Sequence, residues 1–506
     1  MALLTERYAK QIRGVLSCFD RVVIMGTLPG VCYAEGMSVY LRVRDIRLFD
    51  YPRFAEPLRD EIRENAERLA QEHGIEIEYI RSTHAFRKED RIHAILAARG
   101  EHAGLVHIFS AMEPCAAFAP WHDKATGRTV LRYKDGKCVH YYFYFIDEEF
   151  GLCYLRVPTW APFRLQFYCN GHNWVARQLR QAGIAYSQLD NAFSNIDDIV
   201  RAQALADAFP VEVLHHTLDA LAATYCPVLR HFGVTYHWSL MQVEYATDII
   251  FRRQDALRPL YEALVRTAVH AVKPDHVATF LGRKLTGNYA AELGNDFHTR
   301  IEGTRIKHHM GPVAIKLYDK QALILRIETT VNDVSFFRHH RTVEHRDATQ
   351  ETKVAPMQKT IYSLRALRDL LAAANRRYLE FLSQLTDPSS GVGKVERLAA
   401  PVRKDDRTYR GFNLFDPDDL ALFFALARGE WQISGLYNRT LRRFLPDLNG
   451  PQVSRLLKRL RLHALIKKVG HTYKYYLTRF GQDVLLTALK LRQLVVIPSL
   501  AGVIPA

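Results

Sequence analysis

Hydrophobic and polar positions in the first third of the chain switch between two periods. Arg21-Val-Val-Ile-Met-Gly is a short apolar run ended by glycine, which predicts a buried strand. Phe54 to His73 carries Ala and Leu at helical spacing among Glu and Arg, and Gly74 stops it. Ile75 to Ile80 alternates strictly, as a half-buried strand does. Lys88 to Arg99 returns to the helical period and ends at Gly100, and Leu105 to Phe109 is a third apolar run. Strand, helix, strand, helix, strand predicts a parallel α/β sheet. Val139 to Ile146 is almost wholly aromatic and β-branched. With the turn Asp147–Gly151 and the run Leu152–Val157 it predicts an antiparallel hairpin whose rings pack in a core. Asn170 to Ala182 reads as a helix stopped by Gly183.

From Asp197 to Val272 the pattern is mainly helical. Thr299 to Asp333 holds three strand-like runs, Arg300–His308, Val313–Tyr318 and Leu323–Val331, and Ser363 to Leu385 is a long amphipathic helix. The fold class expected is therefore α/β. An N-terminal mixed α/β sheet domain with the aromatic hairpin spans 1–195, and a helical continuation spans 196–290. A basic β-strand block plus long helix follows over 291–386, then a linker over 387–414 opening on Asp387-Pro-Ser-Ser-Gly, then a C-terminal domain over 415–506.

The C-terminal pattern is the most specific. Pro417–Arg428, Ile433–Leu445 and Gln452–His463 read as helices, Leu465–Val469 and Tyr473–Thr478 as strands around Gly470, and Arg479–Leu494 as a last helix. That is the order of a winged helix-turn-helix. The run SRLLKRLRLHALIKKVGHTYKYYLT resembles the recognition helix and wing of MarR-like winged-helix domains over about Phe415 to Leu494. The resemblance implies duplex DNA binding. Gln452, Ser454 and Arg455 would then meet base edges, and Lys458, Arg459, Lys467, Lys468 and Lys474 the phosphates. It also implies a homodimer joined through the last helix.

Charge points the same way. Of 506 residues, 69 are Lys or Arg and 54 Asp or Glu, a formal net charge of +15 that calls for a polyanionic partner. From Trp431 onward the acids are only Asp447 and Asp483. Seven cysteines without C-x-x-C spacing argue against a zinc ribbon or dithiol redox motif and suit a reducing cytoplasm. No apolar run approaches the length of a membrane span, so no membrane partner is expected.

Several constellations carry candidate chemistry. Lys316, Tyr318, Lys320 and Arg326 alternate with Ile315, Leu317, Ile324 and Ile327, and Arg305 and Lys307 precede them. A strand pair with one basic, aromatic face suits a nucleic-acid backbone. The YDK and LRIE of this block are similar to a strand pair of rolling-circle replication initiators. Those proteins carry a His-hydrophobe-His motif, whereas His308 and His309 are adjacent and point to opposite faces of a strand. Asp319 and Glu328 are expected to pair with Lys320 and Arg326 across the hairpin. Glu244 and Asp248, four apart in a helical pattern, share one face where they could hold a divalent metal with His237. Asp20 before the first strand and Glu113 after the third are candidate acids at the strand ends of the sheet, with His84, Lys88 and Glu89 beside them. Should these acids be catalytic, Mg²⁺ or Mn²⁺ is the expected cofactor. Arg156, Arg164 and His172 flank the aromatic hairpin, which offers base stacking as the alternative to a packed core.

The leading expectation is a nucleic-acid-binding protein, with DNA favoured and RNA the alternative, of a mobile or plasmid-like element. A metal-dependent nuclease, transposase or replication initiator is a second reading, a structured-RNA-binding partner a third, and a ligand-sensing regulator a fourth.

Overall fold

Strand-forming runs from Ile12 to Val331 build one large sheet and one small hairpin. A computed structural model of the chain describes residues 3–81, 86–283, 293–300, 303–345, 347–385, 396–413, 415–428, 431 and 435–501. It has two compact units, Met1–Thr386 and Asp387–Ala506. The strands of the first are β1 Ile12–Thr27, β2 Ile77–Tyr79, β3 Gly104–Asp123, β4 Arg128–Asp147, β5 Gly151–Pro158 and β6 Leu165–Cys169. They continue with β7 Tyr186–Gln188, β8 Phe193–Ile196, β9 His237–Phe251, β10 Leu293–Arg300, β11 Gly303–Met310, β12 Val313–Lys320 and β13 Ile324–Val331. Eleven of them form a sheet in the order β10-β11-β12-β13-β9-β1-β6-β5-β4-β3-β2, and β7 and β8 form a separate hairpin.

The protein is α/β, but the expectation of a parallel sheet is corrected. Only β2 and β3 pair in parallel, and every other pair in this sheet is antiparallel. The helix Tyr51–Glu72 between β1 and β2 misleads because it does not join neighbours: β2 lies at the sheet edge and β1 near its middle. The helical reading of Asp197–Val272 is corrected as well. Helices Ile199–Asp207, Val211–Tyr225 and Gln254–Ala271 are present, but β9 runs between them. β9 is covered on both faces over Tyr245–Phe251, so its apolar positions do not alternate. The segments read as separate domains before residue 386 thus share one sheet.

The aromatic hairpin packs as expected. Tyr141, Phe143 and Phe145 enter the main core, while Tyr142, Tyr144 and Ile146 on the other face join Phe109 and Val106 beneath Ile92 of the helix Lys88–Arg99. The helix Leu364–Leu385 backs β9 and β13. It buries Leu364, Leu367, Leu371, Ala374, Tyr378 and Leu382, a three–four spacing that makes one stripe. Its buried Asn375 carboxamide accepts from Thr329 Oγ1 at 2.7 Å and donates to Thr247 Oγ1 at 3.1 Å, which satisfies polar groups on the rear of the sheet. The opposite face of the same strands is left for the site. A hairpin, β14 Arg338–Glu344 with β15 Gln350–Pro356, lies outside the sheet.

In the second unit, helices Pro417–Leu426, Asn438–Arg442 and Gly450–Leu462 precede the hairpin β18 Ile466–Lys468 and β19 Tyr475–Leu477, and the helix Arg479–Leu491 follows. Leu422, Phe423, Leu441, Val453, Leu457, Leu460 and Leu485 form its core. The predicted linker is corrected over its described part. Residues 396–413 carry the small hairpin β16 Val402–Lys404 and β17 Arg407–Tyr409, and Leu398 and Phe412 are buried in this core. Among the described residues, no helix is long and apolar enough to cross a membrane.

Candidate functional site

Cross-strand register builds the site row by row. Leu16, Asp248, Arg326 and Tyr318 face one another across β1, β9, β13 and β12; Cys18, Ala246, Glu328 and Lys316 form the next row. Side chains alternate between faces, so both rows lie on one face. In the following row Glu244 is paired with Arg21 on one side and Thr330 on the other. The register slips between Phe19 and Arg21, a β-bulge that leaves Asp20 without a partner on β9. A bulge sets two residues against one on the partner strand. Asp20 and Arg21 therefore both reach Glu244: one carboxylate oxygen from each of Asp20, Glu244 and Glu328 lies within 4.8 Å of the others, and Arg21 Nε lies 3.7 Å from Glu244. Cys18 and Ala246, both small, leave room for Glu328 in its row.

Neighbouring groups hold the acids of this triad. Lys316 Nζ donates to Glu328 Oε1 at 2.6 Å and Glu244 Oε1 at 3.0 Å. Tyr318 Oη donates to Glu328 Oε2 at 2.6 Å. Arg326, fully buried, donates to both oxygens of Asp248 at 2.6 and 2.7 Å and has Nη1 3.4 Å from Asp20. Asn191, in the turn of the β7–β8 hairpin, donates to Asp20 at 2.7 Å, and its own side-chain oxygen accepts from Lys320.

The helix Gly171–Gln181 supplies the remaining groups. Its cap Asn170 accepts from the His172 N–H and reaches Asp20 at 3.4 Å. A side chain at Gly171 would put Cβ 2.0 Å from the Phe19 carbonyl oxygen, so glycine is what lets this helix end approach β1 beside Asp20. His172 Nδ1 lies 3.0 Å from Asp20, and Nε2 lies 3.0 Å from Arg326 Nη2. Burial disfavours an imidazolium here, while Cys18, Asp20 and Asp248 favour one and draw the pKa up. The Arg326 guanidinium opposes them, since it can only donate to Nε2, but the two carboxylates, with Asp248 3.4 Å from Nε2, prevail.

Burial alone would raise the pKa of Asp20, but Arg326 and the His172 hydrogen bond outweigh it and hold the carboxyl well below the usual range. Asp248 is likewise opposed by burial and is lowered by Arg326 to about 2. Glu328 behaves differently. Desolvation dominates despite Lys316, and its pKa is raised. For Lys316, Glu328 and Glu244 outweigh burial and raise the pKa.

The triad opens into a groove. A cavity of about 340 Å³ contains Asp20, Glu244 and Glu328 with Arg21, Arg305, Lys316 and Lys320 on its walls. It shares Glu244, Arg305 and Lys316 with a cavity of about 440 Å³ that adds Lys307 and His309. On the other side it shares Arg21, Tyr168 and Asn170 with a cavity of about 510 Å³. An oxygen-ligated divalent ion at about 2.0–2.5 Å spans about 4–5 Å between opposite ligands, so the three carboxylates are within reach of one ion.

Of the expected catalytic residues, the structure brings Asp20 and Glu244 together and sets Asp248 behind them as the Arg326 partner. Glu244 and Asp248 do share a face, but of a strand, where a spacing of four also returns to one side. Glu113 is corrected: it lies within β3, separated from β1 by β4, β5 and β6, and is taken by Tyr142 at 2.6 Å and Arg156 at 2.6 Å. His237 begins β9, seven residues before Glu244, which is about 23 Å along a strand. Lys88 stands over the Tyr142 ring and Glu89 lines the cavity of about 510 Å³ beside Tyr168, while His84 lies outside the described residues. Arg164 donates to the Cys32 carbonyl and His172 is in the buried network, so neither flanks a stacking surface.

The basic block divides. Arg305, Lys307, Lys316, Tyr318 and Lys320 line the groove, but Arg326 is corrected from a surface contact to a buried ion-pair partner. Glu328 pairs with Lys316 rather than with Arg326, and Asp319 caps the β12–β13 turn by accepting from the Ala322 N–H. His308 faces the core and bonds Tyr378 at 2.9 Å, whereas His309 lines the groove.

In the second unit Arg459 is corrected in the same way. It is buried, grips Asp419 at 2.7 and 3.0 Å and donates to the Arg410 and Gly411 carbonyls. Arg455 and Lys467 are exposed. Gln452 closes a capping box with Asn449, Ser454 bonds Asn438, Lys458 lies 3.7 Å from Asp405, Lys468 is near the Tyr473 ring, and Lys474 is near Tyr437 and Tyr476.

Glu328, Asn170, Asn191 and the role of Arg21 were missed from sequence. For Glu328 a signal existed: it stands two positions after Arg326 and so shares its face. Family models, curated proteins and solved structures were all searched, and none matches the chain.

Proposed function

We propose that this protein binds DNA and cuts or transfers its phosphodiester bonds with a divalent metal held by Asp20, Glu244 and Glu328. The observation that carries this reading is the convergence of three carboxylates from three adjacent strands within 4.8 Å, in a groove walled by Arg21, Arg305, Lys316 and Lys320. Acids alone repel a phosphodiester, and cations alone only bind it. Both together are what metal-assisted phosphoryl transfer requires.

Bound there, Mg²⁺ or Mn²⁺ would activate a water and neutralise charge on the phosphoryl group. Arg21, Arg305 and Lys320 would orient the strand through its phosphates. Lys316, which now stands between Glu244 and Glu328, would turn to the phosphate when those oxygens take the ion. His172 and Arg326 keep Asp20 ionised and aimed.

The second unit would dock the duplex, with Arg455 and Lys467 as phosphate contacts. The order of its elements supports a winged helix. Exposed Leu494, Ile497 and Leu500 suit self-association through the last helix.

The test is incubation of full-length protein with single- and double-stranded DNA, with and without Mn²⁺. Parent and Glu113→Gln protein should cut, while Asp20→Asn, Glu244→Gln and Glu328→Gln lose cleavage by at least about a hundredfold and still bind DNA. Cleavage that persists in the three variants would refute the site. A second reading, a DNA-binding module without chemistry, is favoured by one fact: Lys316 and Arg326 already neutralise these acids. It predicts no cutting with or without Mn²⁺.

A further inference from the structure

The cavity on the β6 side of the triad is floored by tyrosines. Tyr154 and Tyr168, on neighbouring strands, stack with ring centroids 5.0 Å apart and planes 12° from parallel. Tyr144 continues the row, 5.1 Å from Tyr154. Arg21 caps the other end, 5.5 Å from the centre of the Tyr168 ring. The helix Gly171–Gln181 forms a wall through Asn173 and Arg177, and the buried Arg177 Nε has no hydrogen-bond partner among the described residues. The enclosed volume is about 510 Å³, the size of a site for a small planar ligand.

Neither a general hydrophobic ligand nor a bare phosphate suits this cavity. Aromatic rings and guanidinium groups together recognise a planar heterocycle, which stacks on the former and accepts hydrogen bonds from the latter. Arg21, Tyr168 and Asn170 line both this cavity and the carboxylate cavity, so a group bound in one adjoins the other. A nucleotide carries both, a base and a phosphate joined through one sugar. A base inside a duplex cannot enter; it must first leave its partner and its stack.

We infer that the tyrosine-floored cavity holds one unpaired nucleobase next to the phosphate presented to the carboxylate triad, so that the substrate is a single strand or a locally opened duplex. This inference rests on the reading of the triad as a phosphodiester site. It adds that the site selects unpaired nucleotides.

The experiment measures binding in EDTA, where nothing is cut. The probes are a twelve-nucleotide DNA single strand carrying 2-aminopurine, the same strand in a duplex, and a twelve-unit abasic strand with equal phosphates. The single strand should bind at least about tenfold tighter than the abasic strand, as base–aromatic stacking does, with a change in 2-aminopurine fluorescence. The Tyr154→Leu/Tyr168→Leu protein should lose that preference. Equal affinity for the normal and abasic strands overturns the inference without any variant. A folded double variant that keeps the full preference also overturns it. Protein that prefers bases but never cuts would sink the phosphodiester reading and leave the base pocket standing. Protein that cuts yet ignores the bases would do the reverse.

Discussion

Lys316 Nζ stands 2.6 Å from Glu328 and 3.0 Å from Glu244, in the position a divalent cation would contest. Without it two carboxylates would face each other in a desolvated row. Lys316→Met should lower stability by about 3 kcal/mol, as removing one partner of a buried pair does. It should also raise the gain in melting temperature on adding Mn²⁺, because no ammonium competes. Calorimetry with and without Mn²⁺ checks this; an equal gain in parent and variant would show that Lys316 and the ion do not overlap.

Arg326 is expected to be the largest single contributor to the stability of the first unit's polar layer. Arg326→Met strands Asp248 and Asp20 in a buried site and should cost about 3–5 kcal/mol in chemical denaturation. Arg326→Lys should recover little, since one ammonium cannot reproduce the two parallel bonds to Asp248.

Gly171→Ala tests the approach of the helix to β1. The added methyl meets the Phe19 carbonyl at 2.0 Å. Relief must displace Asn170 and His172 from Asp20, and a loss of about 1–3 kcal/mol is expected. A melting temperature unchanged by the substitution would mean that the approach is looser.

Asp248 sets an acid limit. Its carboxyl titrates at about 2 in the folded protein, against an ordinary value of 3.8. The folded state therefore binds fewer protons, so the contribution is full above about pH 4 and is lost as pH falls toward 2. The size is about 2 kcal/mol. The stability difference between parent and Asp248→Asn should shrink over that interval. Glu328 acts in the opposite sense: its raised pKa makes its ionisation, as pH rises above 4.5, a cost to folding that Glu328→Gln removes.

In the second unit the two arginines of one helix should part company. Arg459→Ala, by breaking the buried Asp419 pair, should unfold or destabilise the unit by about 3–5 kcal/mol. Arg455→Ala with Lys467→Ala should leave the melting temperature alone and reduce the slope of duplex affinity against salt by about two. Loss of stability in the second variant, or none in the first, contradicts the assignment.

Local pattern made much of this structure legible. Lys88–Arg99 is a helix over those residues, the aromatic hairpin pairs where its turn predicted, and the C-terminal elements follow in the expected order. What failed was non-local. A strand covered on both faces, such as β9, loses the alternation that marks strands, and so Glu244 and Asp248 were set on a helix. That a bulge brings Asp20 beside Glu244 depends on register between strands more than two hundred residues apart in the chain, which periodicity does not encode. Burial was also hidden. Arg326 and Arg459 count as surface charge in any composition argument, yet each is the centre of a buried ion pair.

The triad draws one acid each from β1, β9 and β13, the beginning, middle and far part of the first unit. During synthesis β13 is the last of these to emerge. A ribosome-bound chain, or a fragment truncated before Ile324, therefore has Asp20 and Glu244 but neither Glu328 nor the Arg326 that keeps Asp20 charged. Such a chain lacks one of the three carboxylates, so on the proposed reading a completed sheet is the condition for holding the ion.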